Sequence, residues 1–146
     1  MPVIVRIKRE HLDVLQHIYM RAYAGMERYA YTERRRVRSY LRWLMKRDPE
    51  GGFLAHRCGI PAGFVFCDAK RYPAAVHELA VLPEHRRRGI GSSLLSRALE
   101  HLKSSGHSLV ELWVGASNLP AQRLYRSFGF REVARLCDWV VMHLRI

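Results

Sequence analysis

Hydrophobic positions along the chain follow two periods, and the switches between them mark the elements. "VIVRI" at 3–7 is short, apolar and β-branched and predicts a strand. Leu12, Leu15, Ile18, Tyr19 and Ala22 recur near helical spacing and predict a helix over 9–24. A second helix is expected after Thr32 as N-cap, with Val37, Tyr40, Leu41, Leu44 and Met45 on one face and Asp48-Pro49 and Gly51-Gly52 as its stop. The period then drops to two. "GFLAHR" (52–57) and "GFVFCDA" (63–69) predict a hairpin around "CGIPAG", and "AVHELAVL" (75–82) a third strand stopped by Pro83. Helical spacing returns over 89–104, where Ile90, Leu94, Leu95, Ala98 and Leu102 form a stripe that Gly106 ends. His101 and Lys103 lie in its last turn, where cations suit the helix dipole. "LVELWVG" (109–115) predicts a strand, "NLPAQRLYRSFG" (118–129) a short helix capped by Asn118, and "CDWVVMHLRI" (137–146) a terminal strand. One more short strand fits near Phe130–Ala134. The order β-α-α-β-β-β-α-β-α-β predicts one mixed α/β (α+β) layer fold.

Composition narrows the picture. With 146 residues, 49% of them hydrophobic, and no linker, repeat or low-complexity segment, a single domain over 1–146 is expected. No apolar run approaches the roughly 18 residues of a membrane span, and "MPVIVRIKREH" lacks the features of a signal peptide. The cytoplasm is the expected compartment. Cys58, Cys67 and Cys137 are odd in number, far apart and without Cys/His ligand spacing, so neither a zinc site nor a disulfide framework is expected. Cys67 reads as a buried strand thiol.

The net charge of +12 predicts attraction to a polyanion: nucleic acid, the ribosome, an anionic membrane or a phosphorylated cofactor. Charge alone does not choose among them. "TERRRVRSYLRWLMKR" (32–47) sets Arg34, Arg35, Arg36, Arg38, Arg42, Lys46 and Arg47 around its apolar face. It reads either as a solvated face or as a contact surface for nucleic acid, ribosome or an acidic protein. Beside a pocket, it would repel small polyamines and favour a neutral, acidic or macromolecular acceptor.

The stretch "HELAVLPEHRRRGIGSSLL" carries the candidate chemistry. A strand, a loop and a helix start there leave free N–H groups at a positive helix end, which is an anion site. Gly89 and Gly91 remove Cβ atoms that would hinder a phosphate, Arg86, Arg87 and Arg88 add charged donors, and Ser92 adds a hydroxyl. The loop is not a Walker loop, since the chain has no Gly-Lys pair, nor a dinucleotide loop, since Leu94 stands where a third glycine belongs. Taken alone, it also fits a glycine-flanked helix start with a solvated arginine run.

Arg86-Arg87-Arg88-Gly89-Ile90-Gly91 resembles the R/Q-x-x-G-x-G/A signature of the GNAT family of N-acetyltransferases, and "ASNLPAQRLYRSFGF" (116–130) resembles the family's next block. The two motifs stand in the family's order and spacing, and the resemblance covers about residues 63–135. It implies a mixed sheet in which parallel strands 75–82 and 109–115 splay to hold acetyl-CoA. The pantetheine arm is expected along Leu79, Ala80 and Val81, and the pyrophosphate on N–H groups from Arg87 to Ser92, including Gly89, Ile90 and Gly91, with Arg86 at the signature position. Asn118 matches a residue that contacts the pantetheine arm. Tyr125 matches the tyrosine that bonds the CoA sulfur and, as an acid, would protonate the departing thiolate.

The implied reaction is direct transfer of acetyl to an amine on a small molecule or protein, with no metal, and with Glu78 preferred over His77 as the base. Because adjacent strand residues face opposite ways, only one of these two is expected to reach the pocket. The alternatives are a non-catalytic acyl-CoA-binding module and a ribosome- or protein-directed enzyme that uses helix 32–47. The family's N-terminal acetylation branch often has "LEVR-SN" where this chain has "LWVGASN", which weakens that reading. Trp113 there reads as core rather than as a wall of the acceptor site. Members often dimerise, and no residue here decides it.

Overall fold

A computed structural model describes all 146 residues. The strands are β1 (Val3–Arg6), β2 (Gly52–Arg57), β3 (Ile60–Asp68), β4 (Ala74–Val81), β5 (Leu109–Gly115), β6 (Arg131–Leu136) and β7 (Trp139–Arg145). The helices are α1 (Leu12–Ala22), α2 (Arg34–Arg47), α3 (Ile90–Ser104) and α4 (Leu119–Ser127). The expected order of elements holds, and the extra strand is β6.

The ends differ in instructive ways. Arg9–His11 is a 3-10 turn ahead of α1. α2 starts one residue later than a Thr32 cap would place it: Glu33 is the N-cap and makes no side-chain capping bond. β3 begins at Ile60 because Cys58 (φ 53°) and Gly59 (φ 76°) alone make the turn, both in the left-handed region that a tight hairpin needs.

The seven strands form one sheet in the order β1-β2-β3-β4-β5-β7-β6. Only β4 and β5 run parallel. α3 and α4 cover one face, where Leu94, Leu95, Ala98 and Leu102 meet Val65, Cys67 and Val110. α1 and α2 cover the other face over β2–β4, with Leu15, Ile18, Val37, Leu41 and Leu44 against Leu54, Phe64 and Phe66.

One irregularity positions the site. On β4, Glu78 pairs with Phe66 of β3 and Val76 pairs with Cys67, so His77 is left opposite no residue. A bulge of this kind bends and twists its strand. β4 leaves β5 at the same place, since their pairing covers only Ala74–Val76 with Val110–Leu112. Beyond it the β5 side of Glu78–Val81 lacks a partner strand and a wedge opens in the middle of the sheet.

Candidate active site

A cavity of about 410 Å³ fills that wedge. It is lined from both sides of the sheet: Glu78, Tyr23 and Tyr40 on the α1/α2 side, Asn118, Ala121 and Tyr125 from α4 and the turn before it. Glu78 is 9% exposed. Its carboxylate accepts from the Tyr40 hydroxyl at 2.8 Å and from the Tyr23 hydroxyl. Burial pushes its pKa up to about 7, although both tyrosine bonds favour the ionised form. Tyr125 is 7% exposed, and its hydroxyl makes no hydrogen bond to the protein. Burial first, and then the Glu78 carboxylate, push its pKa above the ordinary tyrosine value.

His77 also lines the cavity, which corrects the expectation that strand alternation admits only one of the pair. The bulge resets the alternation. Glu78 meets Tyr40 and His77 meets Trp43 (ring centroids 5.4 Å apart), so both side chains lie on the α2 side. His77 Nε2 lies 2.9 Å from Asp68 Oδ2, and that fully buried carboxylate also accepts from Arg47 Nε at 3.0 Å. Burial lowers the His77 pKa despite Asp68. Trp113 is not core: it is 48% exposed, lines the cavity, and donates from Nε1 to Glu111 at 3.2 Å.

The arginine–glycine loop stands beside the wedge. Arg87 (φ 61°) and Gly89 (φ 76°) turn the chain into α3. Ser93 N–H closes the first helical bond, to Gly89 O at 3.0 Å, so the N–H groups of Ile90, Gly91 and Ser92 precede the ladder. No turn, loop or cap bond uses the N–H groups of Arg87, Arg88 or Gly89. A Cβ on Gly91 would stand 3.2 Å from Leu124 Cδ2, so glycine lets α3 and α4 approach there. Arg86, Arg87 and Arg88 are all exposed; Arg87 and Arg88 are unpaired, whereas Arg86 donates from its guanidinium to Ala22 O at 2.8 Å. Asn118 caps α4, accepting from Ala121 N–H at 3.4 Å. Leu79, Ala80 and Val81 pair with β3 through Val65, Phe64 and Gly63, and their other edge faces the wedge.

The cradle suits an anion with a long polar arm. It offers adjacent free N–H groups at a positive helix end, unpaired cations and a free strand edge leading to the cavity. A family model described as the acetyltransferase (GNAT) family matches residues 12–130. The chain belongs to this acetyltransferase family. The GNAT chain is 40% identical to a protein named N-acetyltransferase from Methanocaldococcus jannaschii, over 96% of its own length and 65% of the relative's. A protein of the same name from Archaeoglobus fulgidus is 39% identical over 87% of the chain and 91% of the relative. The crystal structure of a Pyrococcus horikoshii protein superposes with a TM-score of 0.89 at 33% identity, covering 100% of the chain and 99% of that one. The GNAT chain thus spans 65% of the length of the Methanocaldococcus relative. None of its helices is long and apolar enough to cross a membrane.

Sequence reasoning missed Tyr23, Tyr40 and Tyr29. Tyr19 and Tyr23 stand four residues apart, which puts two phenols on one helical face, and that signal was available. Tyr29 had no local signal. Its ring lies on Gly115, and its hydroxyl meets Ser117 Oγ at 2.7 Å and accepts from Ser117 N–H at 3.0 Å.

Proposed function

We propose that the chain, as one acetyltransferase domain, moves an acetyl group from acetyl-CoA to an amine by direct attack within a ternary complex. The observation that carries this reading is the meeting of a buried carboxylate and an unpartnered tyrosine hydroxyl in one cleft between parting parallel strands. The free N–H groups from Arg87 to Ser92 suit a pyrophosphate, with Arg87 and Arg88 adding charge. The free edge of Leu79–Val81 suits a pantetheine arm lying as an added strand, with Asn118 alongside.

Acetyl-CoA supplies an activated thioester carbonyl. The acceptor amine is mostly ammonium at neutral pH and must lose a proton. Glu78, half ionised near pH 7, takes it directly or through one water. The N–H of Val81, which points to the free edge because those of Ala80 and Leu82 face β3, steadies the oxyanion. As the C–N bond forms and the C–S bond breaks, Tyr125 gives its proton to the sulfur, and the proton shed by the newly acetylated nitrogen restores the tyrosine hydroxyl. The acceptor is an amine on a small molecule or on a protein.

Thiol release from acetyl-CoA, followed across a panel of amines, peptides and ribosomal proteins, tests the proposal. Acetyl-CoA at about 100 times its Kd is expected to stabilise the fold by about 2.7 kcal/mol. Tyr125→Phe is expected to cut turnover about 100-fold while CoA affinity stays within a few-fold. No thermal stabilisation by acetyl-CoA would remove the cofactor assignment. Stabilisation without thiol release on any acceptor would favour a non-catalytic acyl-CoA-binding module.

A second reading, an enzyme directed to ribosomal or other protein acceptors, draws on α2. This helix has no acidic residue, and its first turn holds Arg34, Arg35 and Arg36, where cations oppose the helix dipole. Its ion pairs are Arg38 with Asp13 and Arg47 with Asp68, which leaves five cations without one. Apart from Lys46 in the last turn, these cations do not support the helix, and they suit docking on a polyanion near the acceptor side.

A further inference from the structure

Arg86 occupies the signature position of the cofactor loop, yet its side chain is spent elsewhere. It donates from Nη2 to the carbonyl of Ala22, the last residue of α1. Helix C-termini leave such carbonyls without an intrahelical donor and favour a cation beside them. A second tie runs between the same two segments: Arg21 in the last turn of α1 bonds both oxygens of Glu84, at 3.1 and 3.2 Å. Two residues of the cofactor loop therefore grip the end of α1. The next residue is Tyr23, the C-cap of α1, and its hydroxyl donates to Glu78. The path from loop to carboxylate is short: Arg86, Ala22, Tyr23, Glu78.

We infer that Arg86 is a positioning residue for the acid–base centre, acting through the end of α1 and Tyr23 on Glu78 rather than by contact with a phosphate. The inference rests on reading Glu78 as the base and residues 87–92 as the cofactor cradle. On this view the three arginines divide their work. Arg87 and Arg88 face solvent without partners beside the free N–H groups, and Arg86 fixes the relation between that loop and the proton-transfer site.

The groups that face Glu78 are Tyr19 and Tyr23 from α1 and its cap, Tyr40 from α2, Tyr125 from α4 and His77 beside it on β4. Of these, only the Tyr23 bond depends on where the α1 terminus is held. Loosening the grip should weaken that bond, remove one donor from the carboxylate, and raise its titration midpoint above about 7.

The experiment follows the Glu78 carboxyl by carbon-13 NMR of glutamate-labelled protein from pH 5 to 9, assigned with Glu78→Gln, in wild type, Arg86→Gln, Tyr23→Phe and the double variant. Arg86→Gln is expected to raise the midpoint by half a unit or more, in the same direction as Tyr23→Phe. The double variant should shift no further than Tyr23→Phe alone, because both act through one bond. The Kd for CoA should change less than threefold in Arg86→Gln and more in Arg87→Gln/Arg88→Gln. An unmoved midpoint overturns the inference, whether or not the Kd for CoA changes. If Arg86→Gln does not fold, Arg86→Lys and Glu84→Gln apply the same test with one tie kept. Failure of wild type to bind CoA would sink the cradle reading separately, since the midpoint needs no ligand.

Discussion

Glu78 shows what a single buried residue does at once to stability and to chemistry. Its folded pKa of about 7 lies above its ordinary 4.5, so the sign is fixed. Below 4.5 both folded and unfolded chains hold the proton, and ionisation costs the fold nothing. Between 4.5 and 7 the unfolded chain ionises first and stability is lost, and above 7 the loss is complete, at about 3 kcal/mol. Glu78→Gln is therefore expected to stabilise the fold at pH 8.5 by up to about 3 kcal/mol and to have little effect at pH 4. It should also erase the acid limb of kcat/KM near pH 7. Urea unfolding at the two pH values checks the first part, and a stability difference that ignores pH would exclude ionisation as its source. At this scale the sequence was partly legible. Glu78 and Tyr125 stand inside motifs, and both line the cavity. Tyr40 does not: it lies 38 positions from Glu78, and nothing local to "RSYLRW" announces a bond made only by folding. Trp113 misled because its neighbours Leu112 and Val114 are buried, whereas its own side of β5 faces the cavity.

Elements were easier to read than their joins. The stripe on α3 is present in the structure as written, with Ile90, Leu94, Leu95, Ala98 and Leu102 all buried, because helical period and burial are one constraint. The bulge at His77 could not be read from β4 alone, since it is a property of the register with β3. The connection from α1 to α2 is similar. Its 3-10 turn Glu27–Tyr29 lies across the C-terminal end of β5 because residue 115 has no side chain. A Cβ there would stand 2.6 Å from the Tyr29 ring. Gly115→Ala is expected to push Tyr29 off Ser117 and destabilise by about 1–3 kcal/mol. Adding Tyr29→Ala should recover part of that loss, so the pair should be non-additive in thermal unfolding. Full additivity would mean that the turn does not seat on β5 through this contact.

At the scale of the molecule, the charge of +12 is not spread evenly in its use. Part of it flanks the free N–H groups at the start of α3, and part lies along α2, where it has few partners. The two predict different salt responses. If α2 docks on RNA, anisotropy titrations with ribosomal RNA should give log–log salt slopes that shrink by about 0.7–0.9 for each phosphate no longer neutralised. Replacing Arg34, Arg35 and Arg42 by Gln should shrink the slope without altering the Kd for CoA. Absence of binding at low salt, or an unchanged slope, would remove the docking surface and leave α2 as a solvated face. Sequence alone could count these charges but could not say which were already paired, because Asp13 and Asp68 reach α2 from other elements.

The wedge between β4 and β5 has one last consequence. Since side chains of α1, α2 and α4 reach it from opposite faces of a single sheet, a change packed into either layer reshapes the wall that the other layer meets.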